Sequence, residues 1–259
     1  FYADAYAGGI CGINDGIITG SSSDNTDKGS SGIAATSRFA SAAAGGIAGD
    51  NRGTISQGTS AGSVRATTLF GLYTFAYGYS GGICGSNTGA VNNSSSQCTV
   101  WGNHYAPEAK REDYIYIGGI CGYNKNEITN CTFSGKAGGG HNGNYKMIFS
   151  VGGVCGYNYG KISYCTFAES AQIADMSVVS GDTATWYSPD YAGGICGYNS
   201  NGAIEQCRTY GTVSLSENPH TEKTTPFYYG GIAGVNDEGY ISCTASKAKV
   251  ILSGTASEL

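Results

Sequence analysis

Ten cysteines and three histidines carry the most demanding chemistry in this 259-residue chain. The histidines (His104, His141, His220) lie far apart and no two cysteines have CxxC spacing, so no metal site is expected. The cysteines keep near-constant offsets from a recurring asparagine. Cys11, Cys84, Cys121, Cys155 and Cys196 stand three residues before one; Cys131, Cys165 and Cys243 stand seven after, and Cys98 and Cys207 slightly later. Pairing them unit by unit predicts disulfides Cys84–Cys98, Cys121–Cys131, Cys155–Cys165 and Cys196–Cys207. Each would close a short loop and contribute roughly 2–3 kcal/mol. Such bonds imply an oxidising compartment. Cys11 and Cys243 are left over at opposite ends. They pair within a closed ring, join one molecule's tail to the next one's head, or stay free.

Other constellations are weaker. Glu108, Glu112 and Asp113 cluster with Lys110 and Arg111; this is the best enzymatic candidate, although a charged loop explains it more simply. Asp24 and Asp27 offer oxygens to calcium, but their spacing is not that of an EF-hand loop and a solvated turn accounts for them. Trp101 with His104 and Tyr105, and Trp186 with Tyr187 and Tyr191, could stack on sugar rings; covering the flank of a core is the more ordinary use of such aromatics. No Gly-x-Ser-x-Gly elbow with a matched histidine occurs. The expectation is a protein without catalytic residues or cofactor, not an enzyme.

The elements that must position these residues are repeats. Gly-Gly-Ile/Val-Cys/Ala-Gly-x-Asn recurs seven times, starting at Gly8, Gly45, Gly81, Gly118, Gly152, Gly193 and Gly230, a period near 37 residues that fills 1–259 as a single repeat domain. A short period filling a chain means one supersecondary unit stacked on copies of itself. Each unit reads as strand, tight turn, strand. The turn asparagines are Asn14, Asn51, Asn87, Asn124, Asn158, Asn199 and Asn236. Their amides both donate and accept, which suits a ladder between copies or a cap on each one's own turn. Soon after each comes Gly16, Gly53, Gly89, Asn126, Gly160, Gly202 or Gly239, the residue types expected where φ is positive. The paired glycines leave room for a neighbouring backbone or for the aromatics just before them. Seven copies with no following P-loop lysine argue against phosphate loops.

Composition excludes several classes. Glycine contributes 43 residues, more than twice the ordinary ~7%, yet without the three-residue period of collagen. A net charge of −5 with 14 basic residues leaves no basic track for nucleic acid. No apolar run approaches the ~20 residues of a membrane helix. Beginning at Phe1 without a signal-peptide pattern, the chain is expected to be processed, excised or trimmed.

Gly193-Gly194-Ile195-Cys196-Gly197-Tyr198-Asn199, followed by Gly202-Ala203-Ile204 and Cys207, resembles the GLUG repeat of bacterial surface proteins. The resemblance extends over all seven units. It implies a right-handed parallel β-helix and the extracellular setting of adhesins and the non-catalytic part of immunoglobulin A proteases. Cysteine stands where that repeat usually has Val or Ala. Two all-β architectures fit the period: a parallel β-solenoid with one repeat per coil, and a seven-bladed propeller with one per blade. The resemblance and the asparagines favour the solenoid. An open solenoid forbids Cys11–Cys243 within one chain, because six steps of ~4.8 Å separate them by roughly 29 Å, whereas a disulfide needs Cα atoms within about 7 Å.

Neither end shows a polar cap, and uncapped coils expose edges that template pairing. The functional expectation is therefore a secreted or cell-surface bacterial structural protein or adhesin stalk, assembling head to tail into a fibre. Its partners would be its own copies or neighbouring domains. The alternatives are a glycan-binding module using Trp101 and Trp186 against a glycan or host surface, and a polysaccharide-cleaving β-helix enzyme.

Overall fold

A computed structural model describes residues 3–26, 32–38, 40–69, 76–105, 113–142, 147–179, 190–216 and 227–253. They form 35 short strands arranged in five sheets of seven strands each. In every sheet the strand order follows the order of the repeats, and every pairing is parallel. This is a β-solenoid with one repeat per coil. A propeller blade is built from antiparallel neighbours within one repeat, so that alternative is excluded.

The fourth coil shows why the sequence folds this way. Its five strands are Asp113–Gly118, Cys121–Asn124, Glu127–Thr129, Thr132–Phe133 and Lys136–Asn142. Ile120 and Cys121 are both fully buried although adjacent. Ile120 lies at the corner between the first two strands, where the backbone turns and both amides bond the single carbonyl of Val154. The corner needs the preceding glycine: a Cβ on Gly119 would stand 2.1 Å from the Phe133 ring and 2.2 Å from the Gly153 carbonyl oxygen. The paired glycines thus serve close approach, as their composition suggests.

The left-handed positions are elsewhere. Gly20, Gln57, Asn93, Asn130, Tyr164, Gln206 and Cys243 have positive φ, one per coil, at the corner between the third and fourth strands. Gly16, Gly53, Gly89, Asn126 and Gly160 do not, and the reading of the asparagine turn as left-handed is corrected. Glycine is used there because coils nearly touch: a Cβ on Gly53 would lie 2.0 Å from the Gly16 carbonyl oxygen. In the last two coils the inserted residues, Asn201 and Glu238, take the positive φ instead of the glycines after them.

Inside, like stacks on like. Ile55, Val91, Ile128, Ile162 and Ile204 form one fully buried row, and Ile47, Ile83, Ile120, Val154 and Ile195 another. Phe133 and Phe167 stack with centroids 6.4 Å apart. Along Thr99–Tyr105 burial alternates with each residue, the period-two signature of a strand with one face on the core.

Candidate functional site

The most ordered polar feature is the asparagine row. Each Nδ2 donates to the Oδ1 of the next coil: Asn14 to Asn51, Asn51 to Asn87, Asn87 to Asn124 and Asn124 to Asn158 at 2.8 Å, then Asn158 to Asn199 and Asn199 to Asn236 at 2.7 Å. The same amides serve their own turns. Asn158 Oδ1 accepts the Gly160 N–H and Asn158 Nδ2 donates to the Gly160 carbonyl. Ladder and turn cap therefore coexist. The row is fully buried from Asn51 to Asn199, and a ligand has no access to it there.

The cysteines form rows of thiols rather than disulfides. All ten are free, and the pairs Cys84–Cys98, Cys121–Cys131, Cys155–Cys165 and Cys196–Cys207 are not bonded. The reason is register. Cys84, Cys121, Cys155 and Cys196 pair strand to strand along the second face, so the sulfur neighbours of Cys121 are Cys84 and Cys155. Cys131, Cys165 and Cys207 form a second row after the left-handed corner, where Cys165 neighbours Cys131 and Cys207. Cys98 belongs to neither; it sits at the place of Gly135, one residue before the paired Thr99 and Lys136. Cys243 lies exposed at the corner itself, and Thr244 takes the row's next place, accepting the Cys207 N–H. Burial pushes the thiols of Cys121, Cys165 and Cys196 well above the ordinary range, which keeps them protonated and inert. With free thiols, the cysteines no longer argue for an oxidising compartment.

His104, read from sequence as a partner of Trp101 at the surface, points inward and is 3% exposed. Its Nδ1 lies 2.8 Å from Thr68 Oγ1 and its Nε2 3.2 Å from Asp113 Oδ2, while Asp113 Oδ1 accepts the Ala76 N–H at 2.9 Å. Thr68 and Ala76 flank residues 70–75, and His104 and Asp113 flank 106–112. The cluster therefore ties together the strand ends on either side of two successive connections. Burial raises the Asp113 carboxyl to about 6, against the opposing pull of the Ala76 amide. The chemistry of a hydroxyl, an imidazole and a carboxylate is present, but all three are buried and the Thr68 hydroxyl has no path to a substrate. Sequence spacing gave no sign of this cluster, because its members come from three strands in three successive coils.

Asp113 is 1% exposed; the residues it was grouped with in the sequence, Glu108, Lys110, Arg111 and Glu112, lie outside the described residues, as do Asp27, Trp186 and Tyr187. Asp24 Oδ1 accepts the Thr26 N–H, a solvated turn whose hydrogen bond lowers the carboxyl. Among the described residues no group of three potential ligands could hold a metal ion. Trp101 lies half-buried on the outer side of the fifth face, between Arg65 and Gly138 of the neighbouring coils.

One surface feature was only half legible. Tyrosines before the glycines stack with tyrosines that stand directly before the asparagines. Tyr79, Tyr116, Tyr157 and Tyr198 follow at centroid separations of 5.9, 4.7 and 5.1 Å, and Tyr191 and Tyr228 extend the column at 5.5 Å. The Tyr157 and Tyr198 planes differ by 4°. Rings stacked along the axis hide their faces, so the column presents edges and hydroxyls rather than platforms for sugars. Burial pushes the Tyr157 phenol up to about 12.

No helix among the described residues is long and apolar enough to cross a membrane. The chain matches no curated protein and no solved structure. A family model, "The GLUG motif", matches residues 113–137. That span runs from the buried carboxylate of the fourth coil, through its corner glycines, Cys121 and Asn124, into the fifth strand, and it is a GLUG motif.

Proposed function

We propose that this protein is a structural element of the bacterial cell surface or extracellular space, a stalk of adhesin type that stacks end to end into a fibre, and not an enzyme. One observation carries the reading: five parallel sheets run unbroken through all seven coils, so each coil is bound to its neighbours by continuous rows along one axis. The polar groups that could do chemistry, His104 with Asp113 and the thiol rows, are buried as fasteners. The GLUG motif supports the surface setting. Protease shaving of intact cells is expected to release peptides of this chain, and electron microscopy to show rods. Recovery of the chain from the cytosol alone would end the surface reading.

A second reading is a glycan-binding module of a larger surface protein. Trp101 favours it, being half-exposed beside Gly138, which has no side chain to cover one flank of the indole. A glycan array should then show hits that Trp101→Ala or Trp186→Ala removes; an empty array dismisses the module.

A further inference from the structure

We propose that the two buried thiol rows bind soft monovalent cations of the copper(I) and silver(I) kind, one ion seated between each pair of neighbouring sulfurs. The site stands whether or not the protein forms a fibre.

The rows are built alike, coil after coil. In the first, the sulfurs of Cys121, Cys155 and Cys196 lie 3.0, 3.2 and 3.2 Å from the carbonyl oxygens two residues on, those of Tyr123, Tyr157 and Tyr198. The same sulfurs lie 3.9, 3.9 and 3.8 Å from the carbonyls of Gly85, Gly122 and Gly156 in the preceding coil. In the second row, Cys131, Cys165 and Cys207 each lie 3.3 Å from the carbonyls of Thr129, Ser163 and Glu205. Repeated contacts mean repeated rotamers, so the sulfurs recur at the strand spacing of about 4.8 Å.

That spacing decides what can join them. A disulfide holds its two Cβ atoms about 3.5–4.5 Å apart. In-register neighbours stand farther apart than that, and the bond would pinch the coils together. A cation in line between two thiolates spans twice a metal–sulfur bond. With a bond of about 2.3 Å, the value for zinc on thiolate, the span is about 4.6 Å. The ion then lies on the axis between the sulfurs, and the coil rise hardly changes. Among the described residues no group of three potential ligands could hold an ion, which disfavours zinc with its four ligands. A two-coordinate soft cation needs only two, and thiolate is the donor that selects it.

Both rows end within the chain. Cys84 is preceded in register by Ala48, and Cys196 is followed by Ala233. Ser94 and Thr244 bound the second row; their hydroxyls accept the Gly58 and Cys207 amides as the Cys165 sulfur accepts that of Cys131. The first row thus has three gaps between Cys84, Cys121, Cys155 and Cys196, and the second has two between Cys131, Cys165 and Cys207.

Charge balances as well. Filling every gap takes one ion fewer than there are sulfurs. Each ion displaces one thiol proton to water, and the last sulfur keeps its proton and binds as a thiol. The loaded row is neutral and no electron moves, so no unpaired charge is left in the core. All seven cysteines of the rows are fully buried, which shields them from larger reagents; ions enter as the coils close during folding.

The test is anaerobic refolding of the full chain from urea with silver nitrate, or with copper(I) supplied as its acetonitrile complex. Cys11→Ser and Cys243→Ser remove the accessible thiols beforehand. Native mass spectrometry should then count about five ions per chain, one for each gap, with one proton lost per ion. X-ray absorption should show two sulfurs per ion, and the unfolding temperature should rise with the strand signal in circular dichroism unchanged. Cys155→Ala, which copies Ala48 and Ala233 of the same row, breaks two gaps and should lower the count by two. Cys84→Ala, at the end of the row, should lower it by one. Cys165→Ser, which copies Ser94, should again remove two. A chain that refolds free of ions overturns the site. So does a loss of one ion per cysteine regardless of position, coordination by three or more sulfurs, or ions held only when the strand signal is lost.

Discussion

Middle coils and end coils share a sequence pattern and differ in what surrounds them. Tyr116, in the fourth coil, is 7% exposed; its row-mate Tyr6 in the first is 37% exposed. Ile128 is fully buried, whereas Ile18 and Ile241, at the two ends of the same row, are only partly covered. Asn124 gives and receives a ladder bond; Asn14 only gives one and Asn236 only receives one. A coil's burial is thus a property of its neighbours, as expected of an array in which each unit contacts only the adjacent ones. Stability should therefore fall from the centre toward both ends.

The largest test of that gradient is Ile128→Ala. It should cost about 2–5 kcal/mol in urea unfolding, as a buried truncation does, and Ile241→Ala roughly half as much. Equal costs would break the comparison. Next comes the ladder. Asn124→Ala strands an amide partner on each side in a buried row and should cost about 2–4 kcal/mol, against about 1 kcal/mol for Asn236→Ala. A smaller effect separates two carboxylates by sign. Asp113, raised by burial, takes up its proton near pH 6 in the folded chain and near 3.9 in the unfolded one. Between these values the folded state holds more protons, so the Asp113 contribution improves as pH falls and is lost as pH rises through 6. The change is at most about 3 kcal/mol, reduced by His104 beside it. Asp24, lowered by its turn, acts in the opposite direction, stabilising above the ordinary carboxylate pKa and losing that below it. Urea stability between pH 4 and 7 should show a slope that Asp113→Asn removes; an unchanged slope would place the proton elsewhere.

Much of this was legible because it is periodic. The glycines, the asparagines and the spacing announced coils in register, and the asparagine row stands where the spacing put it. What failed did so by single residues. Counting from each asparagine grouped Cys243 with Cys131, yet an inserted residue in the last coil moves Cys243 onto the corner and Thr244 into the row. Counting likewise missed that Cys98 takes the place of a glycine. Pairing cysteines along the chain ignored that, in a parallel stack, the nearest equivalent residue is one whole coil away. The left-handed corner escaped notice because Gln57, Asn130, Tyr164 and Cys243 share no residue type. His104 escaped because, on an alternating strand, one step separates the interior from the surface beside Trp101.

Segment length varies in one place above all. The stretches between Leu69 and Tyr77, Tyr105 and Asp113, Asn142 and Met147, Val179 and Asp190, and Ser216 and Phe227 all join the fifth strand of one coil to the first of the next. The strand ends that bound them line up coil after coil, the fifth strands in one sheet and the first strands in another. Sequence can be rewritten between those ends without moving an asparagine or an isoleucine out of line. The molecule is in effect a ruler with blank marks, on which foreign segments could be inserted at fixed intervals.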